Sequence, residues 1–166
     1  FGLLIGFIFI PFMALDIPAR FQIPSVWTWI SIQTILGLPK LYRYADPMGA
    51  LNLSVMKKED YLRWHFDQSD FVTSLSVRNS EKGGDFEYVP RIRGPQQENY
   101  ETVQSVLKGS REQVVNIPNR PGTLLVFQGR YSLHRVTRIE GETSRLMGLL
   151  GYAAEPNITS SERSEE

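Results

Sequence analysis

With 166 residues the chain has length for one ordinary domain with a real hydrophobic core and a single active site. Lysine plus arginine number 18 and aspartate plus glutamate 18, so no net field draws the chain to nucleic acid or to an acidic membrane surface, and no nucleic-acid partner is expected. The absence of cysteine excludes disulfides, iron–sulfur clusters and thiolate zinc sites, so imidazole and carboxylate must hold any metal, and the chain has only two histidines to offer.

Residues 1–40 carry three charged groups, Asp16, Arg20 and Lys40, and read as an apolar N-terminal support segment or as a truncated membrane or signal segment. The run from Phe1 to Leu15 is apolar throughout, yet Pro11 interrupts it and it falls short of the ~20 residues of a membrane span. The absence of an initiator methionine suggests a fragment or a processed product. A signal-anchor remnant and a buried element of the support layer both remain open. Ser25 to Leu36 fits a short apolar helix capped by Ser25 and stopped by Gly37 and Pro39, although its β-branched content also permits a strand.

Mixed charge begins after Leu41, and residues 41–156 form the expected catalytic domain. From Ala50 onward, short runs alternate with period two and are broken by Gly, Pro, Asn and Asp. Strands are expected near Ala50–Met56, Tyr61–His65, Phe71–Val77, Asp85–Val89, Gln113–Ile117, Thr123–Phe127, Ser132–Ile139 and Arg145–Tyr152. Eight short strands suit a mainly β double-sheet jelly roll of the cupin type with a few flanking helices. One of these helices is expected within Gln96–Leu107, where Tyr100, Val103 and Leu107 have helical spacing before Gly109. The tail 157–166 lacks apolar periodicity and is expected to be disordered.

The chemistry is carried by Trp64-His65-Phe66-Asp67, where His65 and Asp67 at i and i+2 on a strand would share one face and reach one ion. An H-x-[DE] alone arises by chance in roughly one such chain in five. The pattern gains weight from His134, 67 residues beyond Asp67 on another expected strand, and from Arg145, 11 residues further. Two imidazoles and one carboxylate on one face of an octahedron form the facial triad of non-haem Fe(II) oxygenases, with open positions for a bidentate co-substrate and O₂. A guanidinium matches a carboxylate bidentately and keeps its charge when buried, so Arg145 is the expected anchor for the far carboxylate of 2-oxoglutarate.

In combination, WHFDQSDFVTSL, GGDFEYVP, PGTLLVFQGRYSLHRVT and the trailing Arg145 resemble the 2-oxoglutarate and Fe(II)-dependent dioxygenases, over roughly Leu41 to Pro156. The resemblance implies a double-stranded β-helix with His65, Asp67 and His134 as catalytic metal ligands. Fe(II) would be the metal, with 2-oxoglutarate as co-substrate beside O₂ and a small-molecule substrate. Prolyl-hydroxylase-like enzymes and enzymes that hydroxylate or halogenate free amino acids are the nearest groups. Halogenating members have a small residue in place of the carboxylate ligand, and Asp67 therefore points to hydroxylation. The serine that often follows the arginine by two positions is replaced by Met147, so a second anchor must come from Thr137 or a tyrosine such as Tyr44. Arg138 stands where relatives tend to have proline.

Asn52 is a candidate for hydrogen-bonding the chelating end of 2-oxoglutarate or, alternatively, for satisfying buried backbone. Glu87, Tyr88, Arg91 and Arg93 either face the mouth of the jelly roll and read a polar substrate or are solvated strand ends. Trp64 and Phe66 should point away from the metal into packing, and Arg130 and Arg135 are expected in surface ion pairs. Fe(II) chemistry favours a reducing compartment, hence a cytoplasmic location, with membrane association through residues 1–15 as the alternative. The rival to an enzyme is a catalytically inactive cupin-type ligand-binding module.

Overall fold

Period-two alternation between Val72, Ser74 and Ser76 on one face and Phe71, Thr73 and Leu75 on the other is the local reason the chain pairs into sheets rather than helices. The computed structural model describes residues 32–46, 50–117 and 120–159. Within them the strands are β1 (Tyr42–Arg43), β2 (Asn52–Met56), β3 (Leu62–His65), β4 (Phe71–Arg78), β5 (Lys82–Gly83), β6 (Phe86–Val89), β7 (Val115–Ile117), β8 (Leu124–Phe127), β9 (Leu133–Val136), β10 (Ile139–Glu140) and β11 (Arg145–Ala153). β11 pairs antiparallel with β4 on one side and with β1 and β2 on the other, and β8 completes this major sheet beside β4. The minor sheet runs β3, β9, β6, β7, again antiparallel. Two facing antiparallel sheets with this crossover order make the fold a double-stranded β-helix, the jelly roll expected from the strand pattern.

The inner faces of both sheets meet in one core of Met56, Phe86, Ile117, Leu125, Phe127, Val136 and Ile139. Each large apolar side chain removed from water there contributes roughly 1.5–3 kcal/mol. The outer face of the major sheet is covered by residues 32–36, which are helical, and by Leu41, with Ile32 packing on Phe71 and Tyr152. On the outer face of the minor sheet, Trp64, Phe66, Val89 and Leu133 pack against Val103 and Val106 of the helix Tyr100–Leu107. Trp64 and Phe66 thus point away from the barrel interior, as alternation requires.

The strands expected at Ala50–Met56 and Gln113–Ile117 each begin two residues later, at Asn52 and Val115, and two further elements differ in extent for a visible reason. The run Ser132–Ile139 is broken after Val136, because Thr137 Oγ1 accepts the Asp85 N–H at 2.9 Å and the chain then starts β10, which pairs with β5. That pairing needs glycine at Gly83 (φ 70°), where a side chain would overlap the Arg138 carbonyl. The helix begins at Tyr100 rather than Gln96, since Gly94 and Gln97 bridge each other and Asn99 adopts φ 52°. The Asn99 side-chain amide donates to the Ile92 carbonyl at 2.7 Å. The apolar run 1–15, the proposed cap Ser25 and most of the tail, residues 160–166, lie outside the described residues. Among the described residues no helix is long and apolar enough to cross a membrane.

Glu87 also belongs to the outer face of the minor sheet, because its neighbours Phe86 and Tyr88 take the inner one. It is 6% exposed and accepts from Arg135 Nε at 2.6 Å and from Arg111 Nη2, and both guanidiniums stand over the Trp64 ring. Burial alone would raise the Glu87 carboxyl, but the hydrogen bonds and charges of Arg111 and Arg135 outweigh it and hold it below the usual carboxylate range. Glu87→Ala strands two cations beside a packed face and should lower the unfolding free energy by about 1–3 kcal/mol in urea titrations. An unchanged midpoint would mean that water satisfies both arginines equally well.

Candidate metal centre

The end of β3 and the start of β9 lie side by side, with His65 and His134 as Cα partners across the ladder. Their rings are 4.2 Å apart between centroids. Asp67 follows β3 in a loop, and its backbone N–H donates to the Gly129 carbonyl at 3.1 Å, which brings the carboxylate back over the two imidazoles. Asp67 Oδ1 stands 3.8 Å from His65 Nε2, and Asp67 Oδ2 stands 3.4 Å from His134 Nε2. Ligand atoms from all three side chains lie within 4.8 Å of one another.

The tautomers suit a metal. His65 Nδ1 is 2.8 Å from the Arg63 carbonyl and His134 Nδ1 is 2.7 Å from the Ser132 carbonyl. A carbonyl only accepts, so each Nδ1 carries a proton, and Nε2, the nitrogen on the Asp67 side, is the one left to ligate a metal. Burial, then the neighbouring His134, lowers the His65 pKa below the ordinary imidazole value and favours the neutral ligand form, against the smaller opposing effects of the Arg63 carbonyl and then Asp67. Phe127 packs edge-on to His134 at 5.0 Å and Phe86 lies at 5.6 Å, so the inward side of the site is apolar. Two imidazoles and one carboxylate, converging on one point beside a hydrophobic wall, fit a ferrous ion and leave its other positions to exogenous ligands.

Arg145 opens β11 opposite Met56 on the inner face and is 4% exposed. Its Nε has no hydrogen-bond partner among the described residues, and its Nη1 meets the soft Met56 thioether at 3.7 Å. Burial lowers its pKa to about 10, with Asp85 the charge that opposes the shift. A cavity of about 200 Å³, lined by residues 79–85, opens beside it. Gly84 makes room for the guanidinium stem, because a side chain there would come within 3.0 Å of Arg145 Cδ.

The register shows where the other expected residues sit. Asn52 shares the inner face of Met56 and pairs with Leu149, four positions along β11 from Arg145, in a row that continues through Ser74 to Leu125. The next inward row is Gly151, Val72 and Phe127, the last of which touches His134. Asn52 therefore belongs to the metal end of the barrel and Arg145 to the opposite end. The Tyr44 N–H donates to the Gly151 carbonyl at 3.1 Å, so Tyr44 is also at the metal end and apart from Arg145, with its hydroxyl buried and without a partner among the described residues. Thr137 lies at the Arg145 end, with its hydroxyl engaged by Asp85. Arg91 and Arg93 turn to the loop beyond β8, bonding Gln128 Oε1 and the Arg130 carbonyl, and Arg93 stacks on Phe66 at 3.8 Å. Tyr88, one of the residues expected at the mouth, is the Cα partner of His134 and takes the inner face, where burial raises its pKa and keeps it protonated.

The fold is similar to that of solved structures, AviO1 and ThoJ among them. AviO1 from Streptomyces viridochromogenes superposes with a TM-score of 0.59 at 18% identity, covering 80% of this chain and 58% of that one. The nickel complex of the non-heme monooxygenase ThoJ gives 0.52 at 15% identity, covering 76% and 49%. A Burkholderia pseudomallei oxidoreductase of the 2OG-Fe(II) oxygenase family gives 0.49 at 16%, covering 66% and 44%. The chain spans about half the length of these structures. No curated protein matches it. The chain belongs to the family described as Halogenase D, whose model matches residues 44–166.

Proposed function

We propose that this chain is the catalytic core of a 2-oxoglutarate- and Fe(II)-dependent oxygenase that hydroxylates a C–H bond of a small, amino-acid-like substrate. The reading is carried by one observation: three metal-capable side chains converge at one end of a barrel whose other end holds a buried guanidinium with no acceptor at Nε among the described residues. A buried cation with a weak thioether contact and no carboxylate hydrogen bond is costly, and a dicarboxylate co-substrate reaching from the metal would relieve it. His65, Asp67 and His134 would hold the iron, Arg145 would bind the far carboxylate, and Asn52 is suited to the keto-acid end. Iron and 2-oxoglutarate together would supply O₂ activation, with the net conversion of 2-oxoglutarate, O₂ and R–H into succinate, CO₂ and R–OH. Phe86 and Phe127 would exclude water from that space.

The test is anaerobic Fe(II) titration with 2-oxoglutarate, followed by admission of air with a panel of free amino acids. A 2-oxoglutarate-dependent visible absorption, then succinate formation raised by one member of the panel, is the expected result; no absorption change on adding 2-oxoglutarate would end the proposal. The family's description favours a second reading, halogenation. Asp67 argues against it by occupying the position a halide would use, and product analysis in chloride separates the two readings.

A further inference from the structure

We infer that Gly129 is a positioning residue that sets the carboxylate ligand, and that the lack of a side chain at this position is a requirement of the metal centre. The inference rests on the metal-site reading above. A methyl built on Gly129 would overlap Asp67 Oδ2 and come within 2.7 Å of Asp67 Cβ and Cγ. Oδ2 is the oxygen that faces His134 Nε2 at 3.4 Å, so the overlap falls on the ligating side of the carboxylate. The Asp67 N–H is meanwhile tied to the Gly129 carbonyl, and the two backbones cannot separate without losing that bond. Rotation of the Asp67 side chain would relieve the Oδ2 and Cγ overlaps, but the contact with Cβ also requires the backbone carrying the ligand to shift, and either movement takes the carboxylate away from the imidazoles.

Gly129 is not a glycine of conformational necessity, since its φ is not among the positive ones and the constraint is purely one of space. It sits in the loop that carries the chain from β8 to His134, where the Tyr131 and Ser132 N–H groups both donate to the Gln128 carbonyl. That loop locks the His134 segment and the Asp67 segment into one unit. Gly94 offers a control: its φ is also not positive, and nothing lies within 4 Å of a methyl built there.

The experiment is Co(II) titration of the metal-free chain, read by visible ligand-field absorption, with near-ultraviolet circular dichroism to monitor the fold. Gly94→Ala should bind Co(II) like the wild type, whereas Gly129→Ala should bind at least about tenfold more weakly with an altered spectrum, the scale seen when a ligand loses its orienting partner. In an Asp67→Gly background, where every atom the methyl would overlap is gone, Gly129→Ala should cause no further loss. Wild-type affinity in Gly129→Ala, or a loss that adds to that of Asp67→Gly, overturns the inference while leaving the metal site standing. Failure of the wild type to bind Co(II) overturns both. If Gly129→Ala does not fold, recovery of the fold in the double variant supports the assignment and continued misfolding refutes it.

Discussion

Arg145→Met is expected to abolish the 2-oxoglutarate-dependent absorption of the iron-loaded chain and to leave the fold at least as stable as before. The two halves of that expectation have one cause. Arg145 is 4% exposed and its pKa is lowered to about 10, first by burial. A base with a depressed pKa in the folded state favours unfolding wherever it is still charged. The penalty is therefore complete below pH 10, fades as pH rises toward the ordinary arginine value, and at neutral pH is on the order of 3 kcal/mol. Methionine has similar reach, no charge, and a ready contact in Met56. Exchanging a poorly paired buried ion for an apolar side chain of like volume is commonly neutral or stabilising. Urea unfolding without co-substrate reads the stability, and anaerobic titration reads the binding. A large loss of stability in the variant would mean that the guanidinium serves the fold, and the case for a dicarboxylate ligand would lose its main support.

The strands were legible because each buries one face, so alternation records which residues turn inward; Val72, Ser74 and Ser76 announce β4 without reference to any partner. The same alternation placed Trp64 and Phe66 in the outer layer and His65 in the inner one. What alternation does not encode is contact between distant segments. The break after Val136 depends on Asp85 and Gly83 meeting Thr137 and Arg138, and the late start of the helix depends on Asn99 reaching Ile92. In the site, spacing singled out His65, Asp67, His134 and Arg145, because few residue types can hold iron or a carboxylate and the chain has only two histidines. Gly129 escaped notice for the opposite reason. A glycine in a Gln-Gly-Arg loop looks like an ordinary turn, and only the carboxylate lying against it shows that the space itself is in use.

Asp67→Ala should eliminate turnover and weaken divalent-metal binding by more than the ten- to hundredfold that follows loss of an orienting partner, since here a ligand itself is removed. The fold should persist, because Asp67 lies in a loop after β3, its side chain is about a quarter exposed, and its backbone bond to Gly129 does not involve the carboxylate. The imidazoles keep their carbonyl partners at Arg63 and Ser132, so a weak two-nitrogen site should remain, visible at high Co(II) concentration. In that remnant the vacated position is open to an anion. Azide, added as a probe, should perturb the Co(II) spectrum of Asp67→Ala more than that of the wild type, where the carboxylate holds the place. A ligand-binding module without a metal would behave otherwise, keeping whatever small-molecule affinity it has when Asp67 is removed. The two outcomes turn on the same carboxylate: if metal affinity is untouched by its loss, the convergence of His65, Asp67 and His134 is a packing arrangement and the chain is no oxygenase.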